Sequence, residues 1–299
     1  MNYVKKIINI FKKKKIVLVL GGGGARGLAH IGLLRAFEEA NIKFDAIVGT
    51  SIGAIVGGMY AQNNDSMEIE YKFRKFFESE EFKKTDIDFL YSDDSKENTS
   101  FIANMFNALK QKMIIGKTLF FEQGFFPFNE FKSLISNLVM DMDFSELSIK
   151  FACVTSDLMS GKAVIFTEGK CLEPITASAT IPGVIQPLNL ANRLLVDGAV
   201  VHNIPIIPAK ELFPDAKILG VSVNCDLKPT SEFDNTLKII LRVDDMRSYH
   251  RDKLEKSFAD FCIHMPVEKF HWADFRHIDK FIELGYSVTK KIIEDGELI

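Results

Sequence analysis

Residues 15–62 change character in an order that leaves few architectures open. The β-branched run "KIVLVL" (15–20) ends in the glycine cluster "GGGGARG" (21–27). The stretch "GLAHIGLLRAFEEAN" follows, with Leu28, Ile31, Leu34 and Phe37 at three-residue steps and Arg35, Glu38 and Glu39 on the other side. That spacing predicts an amphipathic helix packed on a sheet. "FDAIVG" (44–49) reads as a second strand and "SIGAIVGGMYAQ" as a second helix. A βαβα opening of this length predicts an α/β fold with a mostly parallel central sheet covered by helices on its faces.

Further strands are expected at 150–157, 162–168, 193–199 and 216–224, and helical patterns at 66–79, 98–112, 128–139, 234–257 and 274–294. The segment 84–131 stands apart. It runs from polar "TDIDFLYSDDSKENTS" into a stretch with Phe101, Phe106, Phe120, Phe121, Phe125, Phe126, Phe128 and Phe131 on no single helical period. The whole chain holds 26 phenylalanines against 6 tyrosines and 1 tryptophan, and Phe lacks a polar handle. The insertion is therefore either ordinary core or an apolar lid over a pocket. The region 225–299 reads mostly as amphipathic helix, for packing on the sheet or for a homodimer surface.

The first fifteen residues carry six lysines and no acid. With a net charge of −3 over the whole chain, the remainder sits near −9, which excludes a basic nucleic-acid surface beyond the tail. The tail is either a solvated extension or a weak contact with anionic lipid. The apolar run after it is too short for a signal peptide, and no stretch approaches the ~18 apolar residues of a spanning helix. Cys153, Cys171, Cys225 and Cys262 show no paired spacing, which argues against disulfides or zinc and for a reducing compartment. Asp93-Asp94 and Asp244-Asp245 read as solvated charge, and no metal is expected.

"GGGGARG" contains Gly22, Gly24 and Gly27 in a G-x-G-x-x-G pattern between a strand and a helix. A dinucleotide site needs an acid at the end of the second strand, but that strand runs into "VGTS"; a P-loop needs Lys-Ser/Thr after the turn, but Leu28 follows Gly27. Backbone donors converging at a helix start can instead stabilise an oxyanion. Arg26 could add charge there or make a surface ion pair. Gly49-Thr50-Ser51-Ile52-Gly53 matches a nucleophile elbow, with a helix N-cap as the plainer role for Ser51. None of the six histidines (30, 202, 250, 264, 271, 277) lies at an evident strand end in a glycine-framed loop. Asp197 does, in "LLVDGAVVHNIP", with Gly198 behind it. Parallel strands end along one crevice, where Ser51 and Asp197 could meet.

"GGGGARG", "GTSIG" and "DGA", in this order, resemble the patatin-like phospholipase family in its bacterial form, similar to the catalytic domain of neuropathy target esterase. "ASATIPGVIQP" (177–187) and "HNIP" (202–205) look like that family's segments too. The resemblance implies a three-layer α/β fold and a Ser–Asp dyad that hydrolyses lipid acyl esters without a cofactor. It makes Ser51 the nucleophile and Asp197 the base, with Gly22, Gly23 and Gly24 as oxyanion donors; from their places beside these residues, Arg26, Gly49, Gly53 and Gly198 are expected to support the site. "VHN" stands where an asparagine pair is usual. The expected organisation is a basic tail (1–15), a hydrolase core (16–210) with the 84–131 insertion, and a C-terminal strand and helices (211–299) on the same domain. The expected partner is a lipid ester, met in the cytoplasm or peripherally at the inner membrane surface. Two alternatives stay open: a non-catalytic lipid-binding or regulatory protein, and a histidine-dependent serine esterase using His202 or His264.

Overall fold

The structure, a computed structural model, describes residues 14–84, 123–231, 233 and 236–296. The lysine tail up to residue 13, the pattern at 98–112 and the lid reading of 85–122 lie outside these residues. Eight strands form one sheet among the described residues: β1 (Ile16–Leu20), β2 (Ala46–Thr50), β3 (Lys150–Asp157), β4 (Lys162–Phe166), β5 (Leu188–Leu190), β6 (Arg193–Asp197), β7 (Lys217–Ser222) and β8 (Phe261–His264). The helices among the described residues are α1 (Ala29–Glu39), α2 (Ile52–Asn63), α3 (Ser66–Glu78), α4 (Glu80–Lys84), α5 (Phe128–Ile135), α6 (Leu172–Ser178), α7 (Ala199–His202), α8 (Ile206–Leu212), α9 (Thr236–Ser257) and α10 (Ile278–Asp295).

The strand order is β5-β6-β3-β2-β1-β7-β8, with β4 pairing β3 off that path. β3, β2, β1, β7 and β8 are parallel, and β4, β5 and β6 supply antiparallel pairs. Alternate residues of β1 face two cores, as a doubly covered sheet requires. Leu18 and Leu20 join Leu34, Phe37, Met59 and Phe281, whereas Val17 and Val19 join Ile204, Ile206 and Ala209. The fold is thus three-layered, with α1, α2 and α10 on one face and α8 on the other.

The register of β3 assembles the site. Its residues 150–154 pair in parallel with β2, whereas Thr155, Ser156 and Asp157 pair antiparallel with β6. β4 covers 153–157 along the opposite edge. β6 therefore runs head-on toward the end of β2. Its last residue, Asp197, lies opposite Thr155, one step past the Thr50–Val154 pair.

Several expectations need correction. The strand expected at 193–199 stops at Asp197, and the helix expected at 128–139 stops at Ile135. The C-terminal region, read as mostly helix, also contributes β8, a short parallel strand beside β7. Of the described phenylalanines of the insertion, Phe126 and Phe131 pack against the main core, and Phe128 is buried at the start of α5. The amides of Phe125 and Phe126 both donate to the Val184 carbonyl (2.8 and 2.9 Å), so this end of the insertion is fastened to the loop before β5.

Candidate active site

β1, β2 and β7 end along one edge of the sheet, and Ser51 follows β2 directly. Its backbone (φ 56°, ψ −128°) lies outside the regions open to ordinary residues, a strain that surrounding packing must hold. Gly49 and Gly53 supply that packing. A Cβ on Gly53 would strike the Leu20 carbonyl, and one on Gly49 would lie 2.5 Å from the Gly53 carbonyl oxygen. The Ser51 amide donates to Ser178 Oγ (2.9 Å), which donates to the Val154 carbonyl (2.6 Å).

The Ser51 hydroxyl points to the carboxylate: Oγ donates to Asp197 Oδ2 at 2.7 Å. The other carboxylate oxygen, Oδ1, accepts the Ala199 amide at 2.8 Å, which fixes the group's orientation. Asp197 is 5% exposed, and burial pushes its carboxyl up to about 7 against the lowering effect of the Ala199 and Ser51 bonds. The neutral and the ionised forms of this carboxyl are thus both accessible near neutral pH. The start of α2 adds positive potential beside Ser51.

The three glycines of the loop are not equivalent, which corrects the expectation that each offers a donor. The Gly22 amide donates to the Asn203 carbonyl (2.9 Å), so it is occupied. Among the described residues, the amides of Gly23 and Gly24 take no acceptor. The amide of Ile52, first in α2, has no partner within its helix. It follows the serine directly, the position from which an elbow supplies an oxyanion donor. Gly22 packs against the serine itself, because a Cβ there would lie 3.1 Å from Ser51 Cβ and 2.7 Å from Asn203 Oδ1.

The sequence model of the family "Patatin-like phospholipase" matches residues 18–210. The chain belongs to the patatin-like phospholipase family. It is 25% identical to patatin-like phospholipase domain-containing protein 7 of Rattus norvegicus over 94% of this chain and 21% of that protein. It is also 25% identical to lysophospholipase NTE1 of Coccidioides immitis over 94% of this chain and 18% of that protein. The chain thus spans only about a fifth of the length of these relatives. Among solved structures it is similar to VipD from Legionella pneumophila (TM-score 0.45, 12% identity, 94% of this chain and 67% of that one).

The remaining candidates sit elsewhere on this patatin-like framework. Arg26 donates Nε to the Phe270 carbonyl (2.8 Å) and so ties the glycine loop to the segment before α10, rather than joining Ser51 or Asp197. A Cβ on Gly198 would strike the Val154 carbonyl, so this glycine brings the Asp197 turn onto β3. His30 is fully buried and held down to about 4 by desolvation. It is neutral, and its Nε2–H donates to the Gly21 carbonyl (2.9 Å) as a brace for the loop. The His202 ring is paired with Glu255, and the His264 ring with Glu268 (3.0 Å). Among the described residues, no helix is long and apolar enough to cross a membrane, and no cluster could hold a metal ion.

Sequence reasoning missed the clamp behind Asp197, which comes from α9, outside the matched 18–210. Glu255 is fully buried, and its carboxylate holds His202, the Ile207 amide (2.9 Å) and Arg251 (3.2 Å). Asp252 accepts from Asn203 Nδ2 (3.2 Å) and Asn224 Nδ2 (2.7 Å), and burial raises its carboxyl. The clamped turn reaches both arms of the site: the Thr50 hydroxyl donates to the His202 carbonyl (2.9 Å), and the Asn203 carbonyl takes the Gly22 amide. "VHN" in the sequence was the only sign of it.

Proposed function

We propose that this chain is a serine lipid acyl hydrolase that cleaves carboxylic esters of phospholipids or lysophospholipids through a Ser51–Asp197 dyad. Family membership and the lysophospholipase relatives support the substrate class. The observation that carries the mechanism is the 2.7 Å bond from the Ser51 hydroxyl to a buried carboxylate whose pKa lies near 7.

In the proposed reaction Asp197 Oδ2 takes the hydroxyl proton as Ser51 Oγ bonds to the ester carbonyl carbon. Negative charge builds on the carbonyl oxygen, where the amides of Gly23, Gly24 and Ile52 are the candidate donors. The carbon–oxygen bond to the alcohol or lysolipid breaks, and the leaving oxygen receives the proton from Asp197. Water then loses a proton to Asp197, attacks the acyl-enzyme and releases the fatty acid, and the proton returns to Ser51. A carboxylate is a weak base for an alcohol. Burial narrows that gap from the carboxyl side, and the α2 N-terminus narrows it from the hydroxyl side.

Ser51→Ala and Asp197→Asn should each lower turnover of a short-chain nitrophenyl ester by on the order of 10⁴-fold or more without loss of fold. A fluorophosphonate should label wild type and not Ser51→Ala. Substantial activity in either variant overturns the dyad. Lipid binding without labelling favours a binding protein instead. Mass spectrometry of products from a mixed-lipid extract identifies the ester cleaved.

A further inference from the structure

Helix α9 carries the clamp on its inner face and something different on its outer one. Ile239, Val243, Met246, His250 and Leu254 follow one another at three- and four-residue steps, so they form one stripe along the helix. With Ile240 beside them, the apolar members are between 44% and 60% exposed. Two cations of the same helix flank the stripe, while Arg251 turns inward to Glu255. Asp252 and Glu255 are buried and Asp244 and Asp245 half-buried, whereas Arg247 and Lys253 are exposed along the two edges of the stripe. Arg242 lies on the Lys253 edge and donates Nη2 to the Lys228 carbonyl (2.7 Å). An apolar stripe with cations at its margins and acids turned inward is the pattern of a helix that lies in a lipid interface.

The position of the stripe matters as much as its composition. α9 connects the parallel strands β7 and β8, so it runs antiparallel to them and begins at the edge where Ser51 lies. Asp252 meets Asn203 and Asn224 at the level of the glycine loop. Residues 239–246 lie six to thirteen positions earlier, and at about 1.5 Å per residue they extend about 9–20 Å beyond that level, past the strand ends.

We propose that the outer face of α9 docks this protein on an anionic lipid surface and turns the Ser51 edge of the sheet toward the lipid. The orientation rests on the lipid-ester reading above; the docking itself does not depend on it. Charge complementarity selects the occupant, because basic margins suit anionic headgroups while the stripe displaces interfacial water. The basic tail would add long-range attraction but would not insert this face.

The test uses the full chain in flotation assays, with vesicles of phosphatidylcholine alone or with about one-third phosphatidylglycerol. Wild type should float with the anionic vesicles and remain free of the neutral ones. V243E/M246E and R247E/K253E should each lower partition about tenfold or more, with turnover of a water-soluble ester within about twofold of wild type. Trp272 is buried, so the emission of an added indole in M246W should move to the blue on the anionic vesicles alone. Ser51→Ala should float like wild type, which separates this proposal from the catalytic one. Equal partition of wild type and both double variants overturns it, as does a silent M246W. Conversion of a dimer to a monomer by V243E/M246E, with vesicle binding unchanged, assigns the stripe to a second copy and overturns it too.

Discussion

The two arms of the site are held in different ways. The Ser51 turn is fixed by absence of volume: Gly49 lets β2 and α2 close on each other, Gly53 lets α2 close on the end of β1, and the strained serine is held between these contacts. The Asp197 turn has one such glycine, Gly198, and beyond it depends on charge. Glu255, Arg251 and Asp252 reach in from α9, some fifty residues later in the chain, and grip His202 and Asn203. Steric positioning is marked in the sequence by glycines beside the site residues, although the backbone they approach lies elsewhere in the chain. Polar positioning is distant and depends on how the chain returns. The Thr50–His202 bond joins the two systems.

The steric arm should break most severely. Gly53→Ala drives a methyl into the Leu20 carbonyl, so the elbow must shift, and turnover of a soluble ester should fall about 10²-fold or more. Unchanged kcat would show that the close approach is dispensable. On the polar arm, Glu255→Ala leaves His202, Arg251 and the Ile207 amide without their carboxylate. Removing one partner of a buried cluster should cost about 3–5 kcal/mol in urea unfolding and lower turnover about tenfold.

The third test reads the dyad itself. In the proposed mechanism Asp197 acts as the base in its ionised form, so kcat/KM should rise about tenfold per pH unit below about 7 and level off above it. The same group affects stability with a definite sign. Its folded pKa lies above the unfolded value, so its contribution is full below about pH 4 and is lost as pH climbs through about 7. Asp197→Asn should therefore flatten the fall in unfolding free energy between those limits. The smallest effect is expected where the arms meet. Thr50→Val removes a buried hydroxyl and leaves the His202 carbonyl unpaired, for about 1–3 kcal/mol and a few-fold loss of turnover.

What could be read before folding follows the same division. β1, β2, β3 and β7, with α1, α2, α3 and α10, announce themselves because long apolar runs and helical periods are local patterns. The short elements do not. β5 and β8 have three and four residues, too few to show a period, and α6 contains Pro174 in its first turn, where a proline is tolerated but reads as a break. Ser51 and Asp197 were visible as single polar residues after apolar strands, framed by glycine. The occupied Gly22 amide was not, since its acceptor is a carbonyl 181 positions away.

By itself, then, the order of residues determined the α/β class, the elbow and the carboxyl that faces it, because strand runs, glycine turns and a terminal acid act on their immediate neighbours. Only the tertiary structure decided which amides are free, that α9 grips the Asp197 turn, and how that helix sorts its charges between a buried and an exposed face. Those outcomes depend on desolvation and on hydrogen bonds between distant segments, and neither exists until the chain has packed.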